Sequence, residues 1–198
     1  MKFFTADQHF GHANIIKYCQ RINPETGELF ETVDEMDAFQ INAWNSVVGP
    51  TDTVYCVGDL TKDSNPKSYL RKLNGKVILI RGNHDYRRVH NLVKTKELDG
   101  FHDVLLLHPD KGSANPDQRH PQIWLSHYSH RVWPASYHGS WHLYGHSHAT
   151  LPDHGLSTDV GVDMRPNNDY KPWSLPEIVK IMTGRKAPKE RHEDERRA

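Results

Sequence analysis

The chain has 198 residues, of which 36% are hydrophobic, and its 25 basic and 25 acidic side chains give a formal net charge of zero. This length and composition suit one domain with a single core. The neutral charge balance argues against broad electrostatic binding of duplex nucleic acid.

The residue types narrow the setting further. Histidine occurs 15 times, and imidazole is the commonest metal ligand that proteins offer. Cys19 and Cys56 are the two cysteines, which is typical of reduced thiols in a cytoplasmic protein. A strand begins at the second residue, so we expect no signal peptide. No apolar run is long enough to span a bilayer, so we expect no membrane partner.

Residues 2–6 predict the first strand, which leads directly into Asp7 and His9. In extended backbone, residues two positions apart point to the same side of the chain. We therefore expect the side chains of Asp7 and His9 to reach one metal ion.

A surface loop, a helix and a second strand follow. Residues 20–31 contain Asn-Pro and Thr-Gly turn signals, which predict a surface loop. Thr32 and Glu35 have the spacing of a capping box and predict the start of an amphipathic helix. Residues 53–57 predict a strand that ends just before Asp59.

The third strand is the apolar run at residues 77–80, which predicts a strand buried on both faces. Gly82 ends it and is expected to turn the backbone with a positive φ. Asn83, His84 and Asp85 then lie at the carboxyl end of the strand, where open α/β sheets place their sites.

The middle of the chain predicts one more helix and two more strands. Residues 86–95 favour a helix, and residues 101–107 favour a single strand. Residues 122–126 predict a strand that ends at His127.

A further pair of strands is predicted beyond this point. Residues 141–144 predict a strand followed by Gly-His-Ser-His, which places His146 and His148 at its end. Residues 156–164 predict another strand.

The last part of the chain predicts a helix and a tail. Ser174 and Glu177 form a second capping box, which opens a helix that runs through residue 182. We expect one domain over residues 1–183 and a disordered, charged tail over residues 184–198, which has no apolar face.

Polar residues that suit metal binding or proton transfer follow five of the predicted strands. They are Asp7 and His9, then Asp59, then Asn83, His84 and Asp85, then His127, and finally His146 and His148. A single Asp or His after a strand most often hydrogen-bonds its own turn. Several such groups gathered beside a core are costly without a metal ion, so the whole set indicates a metal site.

In this order, the five motifs resemble those of the calcineurin-like metallophosphoesterases. The resemblance runs from Asp7 to His148, and the form Asp-x-His-x-Gly-His-x-Asn with Ser-His-Tyr looks like a small bacterial or phage branch without a cap domain. It implies an α/β fold, the four-layer α/β/β/α metallophosphatase sandwich of two mixed β-sheets flanked by helices.

The resemblance also implies two divalent metal ions with one shared ligand. One ion is held by Asp7, His9, Asp59 and His148, and the other by Asp59, Asn83, His127 and His146. Carboxylate, amide and imidazole ligands suit Mn²⁺, which we expect, as well as Fe, Zn²⁺, Ni²⁺ or Co²⁺. A hydroxide that bridges the two ions is the implied nucleophile.

His84 has no metal role in the family pattern. It is the implied general acid for the leaving oxygen, or a group that stabilises charge in the transition state. Either Asp85, which we also count as a catalytic candidate, or Asp63 is expected to orient it.

Substrate contacts are expected from residues close to the ligands. Asn83 and His84 are candidates, and so is Arg131, which follows His127 closely. His12 and Asn14 lie near the first metal motif and suit a phosphate contact, although Asn14 equally suits a helix cap.

The implied activity is hydrolysis of small phosphodiesters or phosphomonoesters, with nucleic acid a substrate only as a nucleotide or a short piece. A nuclease of the same superfamily is the alternative enzyme; Arg81, Arg87 and Arg88 favour it, but the neutral charge does not. A non-catalytic protein-interaction scaffold of this fold is the alternative of a different class. Such scaffolds typically have broken motifs, whereas all seven ligand positions and His84 are intact here.

Overall fold

The computed structural model describes residues 1–63, 65–85, 89–110 and 120–187. They form an α/β fold of two mixed β-sheets flanked by helices. The strands are β1 Lys2–Thr5, β2 Thr53–Cys56, β3 Lys76–Ile80, β4 Gly100–His102, β5 Val104–Leu107, β6 Ile123–Ser126, β7 Trp141–Tyr144, β8 Ser157–Asp159 and β9 Trp173–Ser174. The α-helices are α1 Asn14–Tyr18, α2 Val33–Val47, α3 Lys67–Leu70, α4 Val89–Lys94 and α5 Leu175–Met182, and 3-10 turns occur at Ser136–His138, Val162–Met164 and Pro166–Asn168.

The first sheet has the order β4-β3-β2-β1-β9, with β1 to β4 parallel and β9 antiparallel. Short apolar strands suit a parallel sheet that is covered on both faces. On one face, Val54 and Leu79 belong to a core cluster with Trp44 of α2, Leu70 of α3 and Leu92 of α4. The three helices therefore form the layer outside this sheet.

The second sheet has the order β5-β6-β7-β8, in which β5 runs antiparallel and the other three run parallel. A core cluster lies between the sheets, where Phe4 and Ile80 of the first share a cluster with Leu125 and Leu143 of the second. Ile178 of α5 is fully buried in the same cluster. The carboxyl ends of β1, β2, β3, β6 and β7 consequently meet at one edge of the molecule.

Two predicted strands do not run over their full expected length in the structure. The single strand expected at residues 101–107 is wrong, because β4 pairs with β3 in the first sheet and β5 pairs with β6 in the second. Asp103 lies between these two strands and belongs to neither. Its carboxylate forms an ion pair with Arg81 at 2.7 Å. The strand expected at residues 156–164 likewise stops at Asp159, and a 3-10 turn follows.

The two capping boxes differ. Ser174 and Glu177 form the complete reciprocal pair that the sequence predicts. Thr32 accepts a hydrogen bond from the Glu35 N–H at 3.1 Å, but the Glu35 carboxylate accepts from Glu31 N and from Asn23 Nδ2. The helix begins where predicted, and only half of the box forms.

The predicted tail begins at residue 184, and its described part is residues 184–187. Arg185 donates to the Ser157 carbonyl at 3.0 Å, and Ala187 packs against the core between the sheets. The rest of the predicted tail, residues 188–198, lies outside the described residues. In the part of the chain that the structure describes, every helix is too short or too polar to cross a bilayer.

Candidate metal centre

The structure brings the predicted metal ligands together at the common edge of the two sheets. The ligand atoms of Asp7, His9 and His148 all lie within 4.8 Å of one another, and we name these three residues cluster A. Those of Asp59, His127 and His146 meet the same limit and form cluster B. These groups of His and Asp side chains could hold metal ions.

Asp59 joins the two clusters. Its Oδ2 atom lies 3.6 Å from His9 Nε2 and 3.4 Å from His127 Nε2. Asn83 adds an amide oxygen 3.1 Å from His127 Nε2. The arrangement places one buried carboxylate between two sets of imidazole nitrogens.

Two glycines make this close approach possible. Gly58 has φ +96°, and a Cβ atom there would lie 2.2 Å from His127 Nδ1. Gly82 was expected to adopt a positive φ, and it does not. Position 82 has no room for a side chain, since a Cβ atom would lie 2.2 Å from Asp59 Oδ1 and 2.4 Å from Asp59 N.

The backbone at the ligands is left-handed. Five predicted ligands have positive φ, namely Asp7 (61°), His9 (52°), Asp59 (54°), His146 (65°) and His148 (45°). Positive φ is uncommon outside glycine, and such residues cluster at functional sites. We expected Asp7 and His9 to share an ion because their backbone would be extended. The prediction of extended backbone is wrong, although both side chains are in cluster A.

Cluster A contains buried polar atoms that the described residues leave without hydrogen bonds. Asp7 Oδ2 accepts from the His146 N–H at 2.8 Å, but Asp7 Oδ1 and His9 Nε2 have no partner in the described part of the chain. Leaving buried polar atoms unpaired costs free energy, and a cation would supply the missing partner. These two atoms therefore fit a metal ion.

Burial and neighbouring charges shift the pKa values of Asp7 and Asp59 in opposite directions. Burial raises the pKa of Asp7 to about 8 and lowers the pKa of His9 to about 3. Burial also acts to raise the pKa of Asp59, but the hydrogen bond and charge of His127 outweigh it and lower that pKa to about 2. Asp59 is thus a stable anion at the centre of the site.

His84 lies beside Asp59, and Asp85 lies behind it. The His84 Nε2 atom is 4.0 Å from Asp59 Oδ2, and the side chain is 33% exposed. The buried Asp85 carboxylate instead accepts backbone N–H bonds from Asp59, Leu60 and Gly82 at 2.9, 3.1 and 2.8 Å. Asp85 therefore fixes the two loops that carry the candidate ligands.

We expected either Asp63 or Asp85 to orient the His84 imidazole, and this prediction is wrong for both. Asp63 Oδ1 accepts from the backbone N–H of Asn65 at 2.8 Å. Neither Asp63 nor Asp85 bonds the His84 imidazole among the described residues. The His84 backbone N–H is held instead, because it donates to Asp59 Oδ1 at 2.8 Å.

The predicted substrate contacts fall into two groups. His12 lies at the site, with its Nδ1 atom 3.3 Å from His9 Nδ1 and its ring 5.9 Å from that of His84. Asn14 is exposed at the start of α1, which it does not cap, and Arg131 is also exposed. Within the described ranges, no polar contact links Asn14 or Arg131 to the clusters.

Two functional residues escaped the sequence analysis. Arg21, which lies in the predicted surface loop, is 1% exposed, and its guanidinium donates to both oxygens of Asp163 at 2.9 Å. It also donates to the Asp7 carbonyl at 2.5 Å, and Asp163 accepts from His148 Nδ1 at 2.7 Å. The pair thus holds two members of cluster A, and no local sequence signal identifies Arg21. The predicted site arginines Arg87 and Arg88 lie outside the described residues.

Comparison with known proteins gives relatives whose names state no activity. No family model matches the chain. The chain is 32% identical over 192 residues to the uncharacterized protein MJ1445 of Methanocaldococcus jannaschii, covering 91% of this chain and 90% of that protein. It is 29% identical over 196 residues to the Gene 66 protein of Mycobacterium phage L5, covering 81% and 86%. The crystal structure of the protein of unknown function AQ665 from Aquifex aeolicus is similar, with a TM-score of 0.64, 25% identity and coverage of 91% and 98%.

Proposed function

This chain belongs to the same family as the uncharacterized protein MJ1445 of Methanocaldococcus jannaschii, and from its own residues we propose that it is a dinuclear metal-dependent phosphoesterase. Its substrates are small phosphodiesters or phosphomonoesters. The resemblance of its motifs to the calcineurin-like metallophosphoesterases supports this proposal. Two mixed sheets with helices outside them are compatible with the four-layer sandwich of that family.

One observation carries the proposal, namely the position of the Asp59 carboxylate between the two clusters. Its Oδ2 atom lies within 3.6 Å of imidazole nitrogens from both clusters. The nearby Asp7 Oδ1 and His9 Nε2 atoms are buried without partners among the described residues. A pair of cations with a shared carboxylate accounts for all three features.

The ligand types agree with two divalent ions. Asp7, His9, Asp59 and His148 would hold one ion, and Asp59, Asn83, His127 and His146 would hold the other. Mixed carboxylate, amide and imidazole ligands suit Mn²⁺, Fe, Zn²⁺, Ni²⁺ and Co²⁺ without choosing among them, and Mn²⁺ is our first candidate. When bound, the ions supply Lewis acidity toward phosphate oxygens and a water-derived nucleophile at neutral pH.

His84 supplies the proton in this mechanism. Its imidazole is partly exposed with Nε2 4.0 Å from Asp59 Oδ2, and its backbone N–H is fixed on Asp59 Oδ1, so the ring lies beside the clusters with access to solvent. A proton on the His84 ring nitrogen passes to the ester oxygen as the phosphorus–oxygen bond breaks. His12 packs 5.9 Å from His84 and narrows the same side of the site.

Metal analysis and a phosphoester screen test the proposal together. Elemental analysis of the purified protein should give two ions per chain, and Asp59→Ala should lose both. Asp34→Ala, which removes an exposed carboxylate from the first turn of α2, is the matched control and should retain them. Phosphomonoesters, diesters and cyclic nucleotides are then assayed with each candidate metal.

The screen separates the competing functions. Turnover of small esters with little salt dependence supports the proposal. Preferential cleavage of long DNA that is lost between about 50 and 200 mM salt identifies a nuclease, because phosphate-tracking proteins lose affinity steeply in that range. Two ions retained in Asp59→Ala would contradict the role of Asp59 as the shared ligand. No hydrolysis with any metal would contradict the enzyme assignment and favour a scaffold.

A further inference from the structure

A cleft of about 370 Å³ opens beside cluster B. Its lining residues are Arg81, Gly82, Asn83, Asp103, Val104, Ser126, His127, Tyr128 and His130. Because Asn83 and His127 form part of its wall, the cleft is continuous with the site proposed for the phosphoester. Its volume lies at the lower end of the range for small-molecule pockets.

We propose that this cleft is a nucleoside subsite, which makes the substrate a nucleotide phosphodiester. This inference rests on the proposed function and specifies its substrate class. The cleft holds one organic group of the diester while the other leaves. Three features of the wall support it: an aromatic surface, a neutral polar pair and the position of the cleft relative to His84.

Tyr128 supplies the aromatic surface. Its ring centroid lies 4.6 Å from that of His146 and 5.2 Å from that of His127, and both contacts are edge-on. These contacts fix the ring beside cluster B, yet 49% of Tyr128 remains exposed. A fixed, exposed ring next to a phosphate site is the arrangement on which bases stack in single-stranded nucleic acid complexes.

The wall also contains one ion pair whose two charges cancel. Arg81 and Asp103 pair at 2.7 Å and remain 46% and 68% exposed, so together they offer N–H donors and carboxylate acceptors. A base edge or ribose carries both donors and acceptors and matches such a pair. A second phosphate needs net positive charge, which the pair does not provide, and a purely apolar group would leave its polar atoms unmatched.

His130 is a fixed part of the wall and not a reacting group. Its Nδ1 atom accepts from Trp124 Nε1 at 3.1 Å, and its Nε2 atom lies 3.1 Å from Ser126 Oγ. Both ring nitrogens are therefore engaged. Val104, which is 43% exposed, adds an aliphatic surface to the same cleft.

The position of the cleft decides which group it holds. Asn83 and His127 line it, whereas His84 and His9 do not. His84 protonates the leaving oxygen in the proposed mechanism, so the leaving group lies on the His84 side. The group in the cleft is then the one that stays on the phosphorus, and a site with room on both sides suits a diester.

Two esters with the same leaving group test the subsite. Thymidine 5′-(p-nitrophenyl phosphate) and methyl p-nitrophenyl phosphate both release p-nitrophenolate and differ only in the retained group. We expect the ratio of their kcat/KM values to favour the nucleoside ester. Tyr128→Ala should lower this ratio about tenfold, in line with the usual effect of removing one stacking ring.

Two further variants control the experiment. Tyr128→Phe keeps the ring and should keep the ratio. Tyr137→Ala removes a tyrosine that is 38% exposed but does not line the cleft, and it should also keep the ratio. A wild-type ratio near one, or an unchanged ratio in Tyr128→Ala, would overturn the subsite while leaving the phosphoesterase assignment intact.

A binding measurement decides the case in which neither ester is hydrolysed. That result would refute the diesterase activity, and the subsite is then tested with thymidine 5′-monophosphate by saturation-transfer NMR. Transfer to the base protons from the wild-type protein but not from Tyr128→Ala supports a nucleoside subsite. No transfer from the wild-type protein would overturn it.

Discussion

Asp163→Asn separates the two roles that this carboxylate has in the structure. The Asp163 carboxylate balances the charge of Arg21, whose side chain is fully buried, and it accepts a hydrogen bond from His148 Nδ1 at 2.7 Å. Asparagine has the same shape but no charge, and it presents an NH₂ group to one of these donors. The variant should therefore lose both stability and metal affinity.

The magnitudes follow from burial. Removing one partner of a buried ion pair typically costs about 3–5 kcal/mol, and asparagine, which keeps one acceptor oxygen, should lie near the lower end. Loss of the hydrogen bond that orients a metal-binding histidine typically lowers metal affinity by about 10–100-fold. Cluster A should show this loss, because His148 belongs to it, and cluster B should not.

Asp169→Asn is the matched control. Asp169 receives the same forked contact from Arg165, at 2.7 and 3.1 Å, but no candidate ligand is attached to it. Urea denaturation in chelator measures stability, and calorimetric titration with Mn²⁺ measures the affinity and number of ions. Wild-type affinity at both sites in Asp163→Asn would refute the positioning role, and unchanged stability would refute the buried ion pair.

Four further predictions concern the catalytic proton, the close-packed glycine, the ions and a buried imidazole. His84→Ala should keep both ions in elemental analysis and lose about 10²–10⁴-fold in kcat, with a smaller loss for esters of acidic alcohols; an equal loss across the leaving-group series would contradict proton donation. Gly82→Ala should destabilise by about 1–3 kcal/mol in urea denaturation, because its Cβ atom meets Asp59, whereas Gly49→Ala meets only the Asp52 carboxylate at 3.3 Å and should cost less. Mn²⁺ at about 1,000 times the Kd of each site should add about 4 kcal/mol per site, about 8 kcal/mol for two, and raise Tm by on the order of 20 °C, and chelator should reverse the rise. Burial lowers the pKa of His142 to about 4. Below its ordinary pKa of about 6.5 the unfolded chain takes up a proton first, so His142 lowers stability as pH falls from about 6.5 to 4, by at most about 1.4 kcal/mol per pH unit. Denaturation of His142→Gln across this range should show a flatter pH profile, and an unchanged profile would contradict the buried neutral imidazole.

The sequence places the candidate ligands together because the carboxyl ends of parallel strands lie at one edge of a sheet. The run at residues 77–80 predicts a buried strand, and β3 spans Lys76–Ile80. Polar residues follow each such strand directly, and the carboxyl ends of neighbouring parallel strands meet at one edge. The residues predicted as ligands therefore lie together without any prediction of distances.

Long-range contacts could not be predicted from local patterns. Arg21 and Asp163 are 142 residues apart, and the turn signals around Arg21 are those of an exposed loop. Charged residues are almost never fully buried unless paired, so the burial of Arg21 depends on a partner that only the fold supplies. The division between β4 and β5 has the same origin, since residues 101–107 are apolar apart from His102 and Asp103 and carry no turn signal.

The geometry at the candidate ligands shows that Asp7 and His9 come together for a different reason from the one inferred from the sequence. Asp7 and His9 were expected to share an ion because extended backbone alternates, yet both residues are left-handed. Each left-handed residue costs about 1–3 kcal/mol and persists only where its surroundings fix it. Those surroundings are backbone hydrogen bonds, from Asp7 N to the Gly58 carbonyl and from His9 N to the Asp59 carbonyl, both 3.0 Å. Asp85 completes the arrangement, because its carboxylate binds the Asp59 N–H. The shape of the candidate site therefore depends on backbone contacts between neighbouring loops, which is why residue types point to candidate ligands and only the fold shows how they are held.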